Sequence, residues 1–170
     1  LLYKREMNFM SLSPAIAVVI QTQVPSETAG VAFSLNPLTN DYDEALINAS
    51  WGVGEAVVSG DITPDSIVVD KVTGKKIETR TGDKGGDRSD ELCLENAQID
   101  EVVASLKSIE SLYEEPVDIE WAYSQGDLHI LQARPITAYV PLAAELQTQP
   151  GEQRHLYMDG ALTDGLTISG

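Results

Sequence analysis

A single cysteine, Cys93, stands in the 170 residues, so the chain can build neither an internal disulfide framework nor a CxxC zinc site. Long apolar runs are also missing. The longest, Ala15–Ile20, has six residues, far short of a membrane span. Positive charge is scarce: 11 Lys+Arg against 27 Asp+Glu gives a net charge of −16. That balance excludes bulk nucleic-acid binding and leaves open only a local basic patch. No secretory pattern opens the chain, because Leu1-Leu2-Tyr3-Lys4-Arg5-Glu6 reverses the charge-then-apolar order. The expected compartment is therefore the cytoplasm. No methionine stands at position 1, and the expectation is a segment of a longer protein. What is present is a hydrophobic content of 42%, too high for a disordered polyelectrolyte and enough for one domain, or a domain plus a tail.

Residues 1–14 read as the end of a preceding element. Ala15–Val24 is apolar and β-branched between Pro14 and Pro25, which predicts a strand. Gly30–Leu35 and Glu44–Ala49 predict two more, separated by turn-rich loops and fitting an antiparallel sheet. Gly52 and Gly54 open a permissive stretch that Gly60 closes after a short helical turn. Ser66–Asp70 and Lys76–Arg80 read as strands around Thr73-Gly74. Six of the 11 basic residues fall in the 18 positions from Lys71 to Arg88, either a solvated hairpin and loop or a docking patch. In Asn96–Glu114, apolar residues (Ile99, Val102, Val103, Leu106, Ile109, Leu112, Tyr113) recur at helical spacing, and Pro116 ends the helix. Beyond Thr137 the composition turns to Pro, Gln and Gly, and 141–170 reads as a linker. Cys93, Trp51 and Trp121 are expected to be packing residues.

Val117–Tyr123 and Leu128–Arg134 predict a hairpin. A three-residue turn, Gln125-Gly126-Asp127, sets Glu120 opposite Gln132 and Asp118 opposite Arg134, and keeps Val117, Ile119, Trp121, Leu131 and Ala133 on a core face. His129 then points to the core. The polar face carries a carboxylate and an amide oxygen, hard ligands suited to Mg²⁺ that also holds phosphate oxygens. Arg134 adds a cationic fork suited to a phosphate. The same residues could equally form a solvated face on which Asp118 and Arg134 pair.

These residues resemble a family. Asp118-Ile119-Glu120-Trp121 and Leu131-Gln132-Ala133-Arg134-Pro135-Ile136-Thr137 are similar to the end of the nucleotide-binding domain of phosphoenolpyruvate synthases, pyruvate phosphate dikinases and rifampicin phosphotransferases. Upstream, Val19-Ile20-Gln21-Thr22-Gln23-Val24, Ala29-Gly30-Val31-Ala32-Phe33-Ser34-Leu35-Asn36-Pro37, Gly52–Gly60 and Thr63-Pro64-Asp65 follow in the family's order. The resemblance covers about residues 15–140. It implies an α+β, ATP-grasp second lobe over 15–140, mostly antiparallel sheet packed by one long helix. By resemblance, Gln21 contacts the nucleotide, the backbone of Gln23 and Val24 faces the adenine edge, and Glu55 lies near the nucleotide or caps a short helix. Glu120 and Gln132 match the Mg²⁺-ligating pair, with Asp118 beside them. Arg134 matches the phosphate-contacting, catalytic arginine.

The resemblance also implies a reaction: ATP gives a phosphoryl or pyrophosphoryl group to a carrier histidine on a swivelling domain, which passes it to pyruvate or to an antibiotic hydroxyl. A histidine carrier splits one hard transfer into two easier ones. Neither His129 nor His155 lies in a phosphohistidine motif, and no stretch before residue 15 could hold the first lobe. Both partners, first lobe and phosphohistidine domain, are expected elsewhere in the same protein. This segment alone is expected to bind ATP weakly and to transfer nothing. The tail from Arg154 to Thr167 resembles linkers of synthase-like members, which favours pyruvate as acceptor and phosphoenolpyruvate as product. The rival readings are a rifampicin-type phosphotransferase and a non-enzymatic acidic module that docks a partner through 71–88.

Overall fold

The computed structural model describes residues 17–53, 62–84, 88, 90–142 and 147–148. Six strands make one antiparallel sheet: β1 (Thr28–Phe33), β2 (Glu44–Trp51), β3 (Asp65–Asp70), β4 (Lys76–Arg80), β5 (Val117–Ser124) and β6 (Asp127–Pro135). Their spatial order is β4-β3-β2-β1-β5-β6. The first four strands form a meander. The helix α1 (Asn96–Tyr113) then carries the chain from the β4 edge back to the far side of β1, where the β5–β6 hairpin completes the sheet. This is the expected α+β arrangement of one sheet and one long helix.

Alternation explains which side the helix covers. Ile67 pairs with Ile47, Ile47 with Ala32 and Ala32 with Ile119, a row across four strands in which every member is fully buried. The buried residues of α1 (Ile99, Val102, Val103 and Leu106) join these in one cluster with Trp121 and Tyr123. Leu112, counted with the stripe on apolarity alone, is 79% exposed. It sits out of phase with the buried arc at about 100° per residue. The helix starts with the Glu95 N–H donating to Gln98 Oε1 at 2.9 Å. It ends at Glu114, in the left-handed conformation, just before Pro116.

Gly30 lies beneath Trp121. A Cβ there would stand 2.0 Å from the Asn48 carbonyl oxygen and 2.9 Å from the indole, so only glycine lets the ring lie against β1. Ser34 extends the β1–β5 pairing at its other end: its N–H donates to the Val117 carbonyl and its Oγ accepts from the Val117 N–H, both at 2.9 Å.

The strand expected at Ala15–Val24 is not formed. Ala15 and Ile16 lie outside the described residues, and 17–26 carry no regular structure. Val18, Val19 and Ile20 are 79%, 84% and 96% exposed. β-Propensity is realised against a partner strand, and none pairs here among the described residues. The short helical turn expected around Gly54–Gly60 lies outside the described residues. Among them, no helix is long and apolar enough to cross a membrane.

The basic run is divided: Lys71 and Lys84 turn inward, while Lys75, Lys76, Arg80 and Arg88 are exposed. Lys71 Nζ lies 2.9 Å from Glu110 Oε2, Lys76 donates to Asn96 Oδ1 at 2.6 Å, and Arg88 stacks 3.9 Å over the Trp51 ring. Lys84 is buried against Asp65, whose other contacts are the Gly82 and Cys93 N–H groups, each at 2.9 Å. Burial by itself would raise the Asp65 carboxyl. The Lys84 ammonium and the two amides outweigh burial and hold it below its usual value. Cys93 is buried as expected; burial first, and then the neighbouring Asp65, push its thiol far up.

Candidate functional site

The β5–β6 hairpin is the place to build from. Its turn has two residues, not three: Ser124 pairs with Asp127, and Gln125 and Gly126 have φ of 55° and 85°. Two successive positive φ values are the type I′ signature, favoured because its twist matches that of the strands. The pairing runs on through Tyr123–Leu128, Ala122–His129 and Trp121–Ile130, then shifts between Glu120 and Trp121, where Leu131 is the extra residue. Beyond this bulge Glu120 opposes Gln132, Ile119 opposes Ala133 and Asp118 opposes Arg134. The short turn and the bulge cancel. The expected pairing of the four polar residues is therefore reached by a different route.

The bulge also corrects the placement of His129. His129 opposes Ala122, whose side chain alternates with those of the core residues Trp121 and Tyr123, so it shares the face of Glu120 and is exposed. Ile130 opposes Trp121 on the helix side and is 38% exposed. A parity change at Leu131 flips every residue between it and the turn.

Asp118, Glu120, Gln132 and Arg134 therefore project from the face of the sheet opposite α1. Directly opposed side chains on such a ladder stand about 5 Å apart. Glu120 is half-buried and Gln132 exposed, and neither side chain is hydrogen-bonded among the described residues. Arg134 is held on one side only: its Nε lies 2.7 Å from Asp118 Oδ1 and 3.0 Å from Oδ2. The hydrogen bond donated to Asp118 and the charge of that carboxylate, with the charge of Glu120 behind them, raise the guanidinium above its ordinary value. The Asp118 side chain is 14% exposed and that of Arg134 59%, so the carboxylate is fixed in the sheet and steers a cation reaching outward. Asp118 is thus a positioning residue for Arg134.

Beside this face lies a recess of about 280 Å³ lined by Gln21, Thr22, Gln23, Val24, Ser26, Ala29, Val53 and Leu131. Gln21, Gln23 and Val24 come together here although they form no strand. They meet the hairpin at Leu131, next to Gln132. Ser26 ties the segment to the start of the glycine-rich stretch through Oγ to the Gly52 carbonyl at 3.0 Å. Glu55 lies outside the described residues.

Whether Mg²⁺ fits can be judged from donor chemistry. Among the described residues no group of three or more His, Cys, Asp or Glu side chains could hold a metal ion. With Asp118 engaged by Arg134, the face offers one further carboxylate, Glu120, and the amide oxygen of Gln132. That donor set suits a hard cation that takes its remaining ligands from phosphate and water.

Residues 1–154 match the family model described as "Pyruvate phosphate dikinase, AMP/ATP-binding domain". The chain belongs to that family. Among curated relatives, a probable phosphoenolpyruvate synthase of Methanocaldococcus jannaschii is 37% identical over 152 residues, covering 79% of this chain and 13% of that protein. An uncharacterised phosphotransferase of Bacillus subtilis is 39% identical over 150 residues, covering 79% of the chain and 18% of the relative. The phosphoenolpyruvate synthase of Pyrococcus furiosus is 35% identical over 183 residues, covering 93% and 22%. The chain thus spans roughly a fifth or less of these relatives' length.

Sequence reading missed two local devices. Asp65 buries Lys84 and organises the loop to Cys93. Asn40 and Tyr42 reach the segment after β6. Lys84 between glycines and a lone Asn in a turn carry no periodicity that would single them out.

Proposed function

We propose that this chain is the second lobe, over 15–140, of an ATP-grasp nucleotide site in a larger phosphotransferase. In this reading the protein phosphorylates a carrier histidine from ATP and passes the group to pyruvate, giving phosphoenolpyruvate. The observation that carries it is the set Glu120, Gln132 and Arg134 on one exposed sheet face, beside the Gln21–Val24 recess. Membership of a dikinase AMP/ATP-binding family supports the nucleotide. Relatives named phosphoenolpyruvate synthase support the acceptor.

Each residue then has a task. Gln21 binds the nucleotide, and the backbone of Gln23 and Val24, which lines the recess, meets the adenine edge. Glu120 and Gln132 would hold Mg²⁺, which when bound neutralises charge on the phosphate oxygens. Arg134, aimed by Asp118, places a permanent cation where negative charge builds on the transferred group. Glu55 is assigned to the nucleotide's surroundings. The first lobe and the phosphohistidine domain are the intramolecular partners, and 141–170 leads toward the latter. The working compartment in this proposal is the cytoplasm.

The rival docking-module reading asks for a free basic patch at 71–88. Lys71 and Lys84 turn inward, whereas Lys75, Lys76, Arg80 and Arg88 stay exposed, so the nucleotide reading is favoured by family membership and not by the loss of that patch. The test is titration calorimetry of the full-length protein with Mg-ATP, beside the 170-residue chain alone. Saturable binding by the former and weak binding by the latter is the expected result. No binding by the full-length protein, or tight binding by the segment alone, would reject the half-site.

A further inference from the structure

The chain that follows β6 is pinned by two side chains from a loop about a hundred residues earlier. Asn40 Nδ2 donates to the Val140 carbonyl at 3.1 Å, and the Val140 N–H donates back to Asn40 Oδ1 at 2.7 Å. A carboxamide thus satisfies both backbone groups of one residue, as a neighbouring strand would. The Tyr42 hydroxyl donates to the same carbonyl at 3.1 Å and accepts the Leu142 N–H at 2.9 Å. Its ring meets Tyr139 edge-on, with centroids 6.1 Å apart.

The loop that offers these groups is itself fixed. Asn36 donates to Glu44 Oε2 at 2.7 Å and accepts the Leu38 N–H at 3.0 Å, while Asp41 Oδ1 accepts the Asp43 N–H at 2.8 Å. Asn40 has φ 59°, a left-handed turn that asparagine tolerates better than most residues. What it holds is not core: Val140 is 68% exposed. Hydrogen bonds open to water add little net stability but still fix geometry. Four of them, all ending on Val140 and Leu142, point to a geometric purpose.

We infer that the 36–43 loop anchors the chain where it leaves the nucleotide lobe, and that Asn40 and Tyr42 are positioning residues that set the departure of the linker toward the phosphohistidine domain. The inference rests on the function proposed above. Both residues lie outside the proposed nucleotide contacts, so loosening the anchor should spare ATP binding and slow delivery of the group to the carrier histidine. Free swinging lowers the effective concentration of a tethered acceptor, and misplacement costs rate steeply.

The test uses Asn40→Gly, which keeps the positive φ, Tyr42→Phe, which keeps the ring against Tyr139, and the double variant. Asn40→Asp retains the acceptor for the Val140 N–H and serves as the milder control. Two quantities are read in the full-length protein: amide exchange at Val140 and Leu142, and the split between ATP affinity and single-turnover transfer to the carrier histidine. The expected result for the double variant is exchange faster by roughly fivefold or more. Transfer should fall by about tenfold or more while ATP affinity stays at the wild-type value. Asn40→Asp should fall between the two. Unchanged exchange at Val140 and Leu142 would overturn the anchor. Faster exchange with wild-type transfer would overturn the positioning role alone. A wild-type protein that binds ATP but never labels a histidine would overturn that role together with the proposed function.

Discussion

Asp118 and Arg134 oppose each other across β5 and β6, with the guanidinium Nε within 3.0 Å of both carboxylate oxygens. Among the described residues only Nε is hydrogen-bonded, which leaves the terminal amino groups for another anion. Replacing Arg134 by Ala in the full-length protein should lower transfer by about a hundredfold or more, the scale set by removal of one charge-stabilising donor. The unfolding midpoint should barely move, because an exposed ion pair contributes little to stability. Asp118→Asn should cause a smaller loss of rate. Single-turnover rates beside thermal melts check both.

Glu120 and Gln132 face each other with no side-chain partner among the described residues. Glu120→Gln and Gln132→Ala should each raise the Mg²⁺ concentration needed for half-maximal activity, and the folded sheet should persist. Titrating activity against Mg²⁺ reads this. A metal response identical to wild type would remove the ligand role.

Asp65 is fully buried, with Lys84 and two amides around its carboxylate. Its folded value lies below the ordinary one. A depressed acid contributes stability that is present above the unfolded carboxyl value of about 3.9. That stability is lost as pH falls through the lower folded value. Acid unfolding of the wild type should therefore steepen at the foot of the carboxylate range, and Asp65→Asn should flatten that region. Lys84→Met, which removes the counter-ion and leaves the buried carboxylate to its two amides, should cost about 3–5 kcal/mol near neutrality. Denaturant melts at several pH values check both.

Gly30→Ala would push a Cβ into the Asn48 carbonyl and the Trp121 ring. A loss at or above the upper end of roughly 1–3 kcal/mol is expected, with altered near-ultraviolet signal from Trp121. A neutral substitution would contradict the close packing at this crossing.

Much of this was legible because alternation and helical spacing report burial directly. α1 shows its stripe, and Val117, Ile119 and Trp121 show the core face of β5. The pairing of Glu120 with Gln132 was readable for a different reason than assumed: end pairing depends on total residue count, which a two-residue turn plus the Leu131 bulge preserves. Local parity depends on where the extra residue sits. His129 was therefore placed on the wrong face. Val18–Ile20 showed β-propensity, but propensity does not say whether a partner strand lies alongside. Lys84 looked like solvent-facing charge, because burial by one distant carboxylate leaves no trace in local composition.

The central claim is tested most directly by a structure of the full-length protein bound to Mg²⁺ and a non-hydrolysable ATP analogue. The account predicts one Mg²⁺ about 2.0–2.1 Å from a Glu120 carboxylate oxygen and the Gln132 amide oxygen, a terminal amino group of Arg134 on a phosphate, and adenine against Gln23 and Val24. A nucleotide bound elsewhere, with Glu120, Gln132 and Arg134 left in solvent, would contradict it.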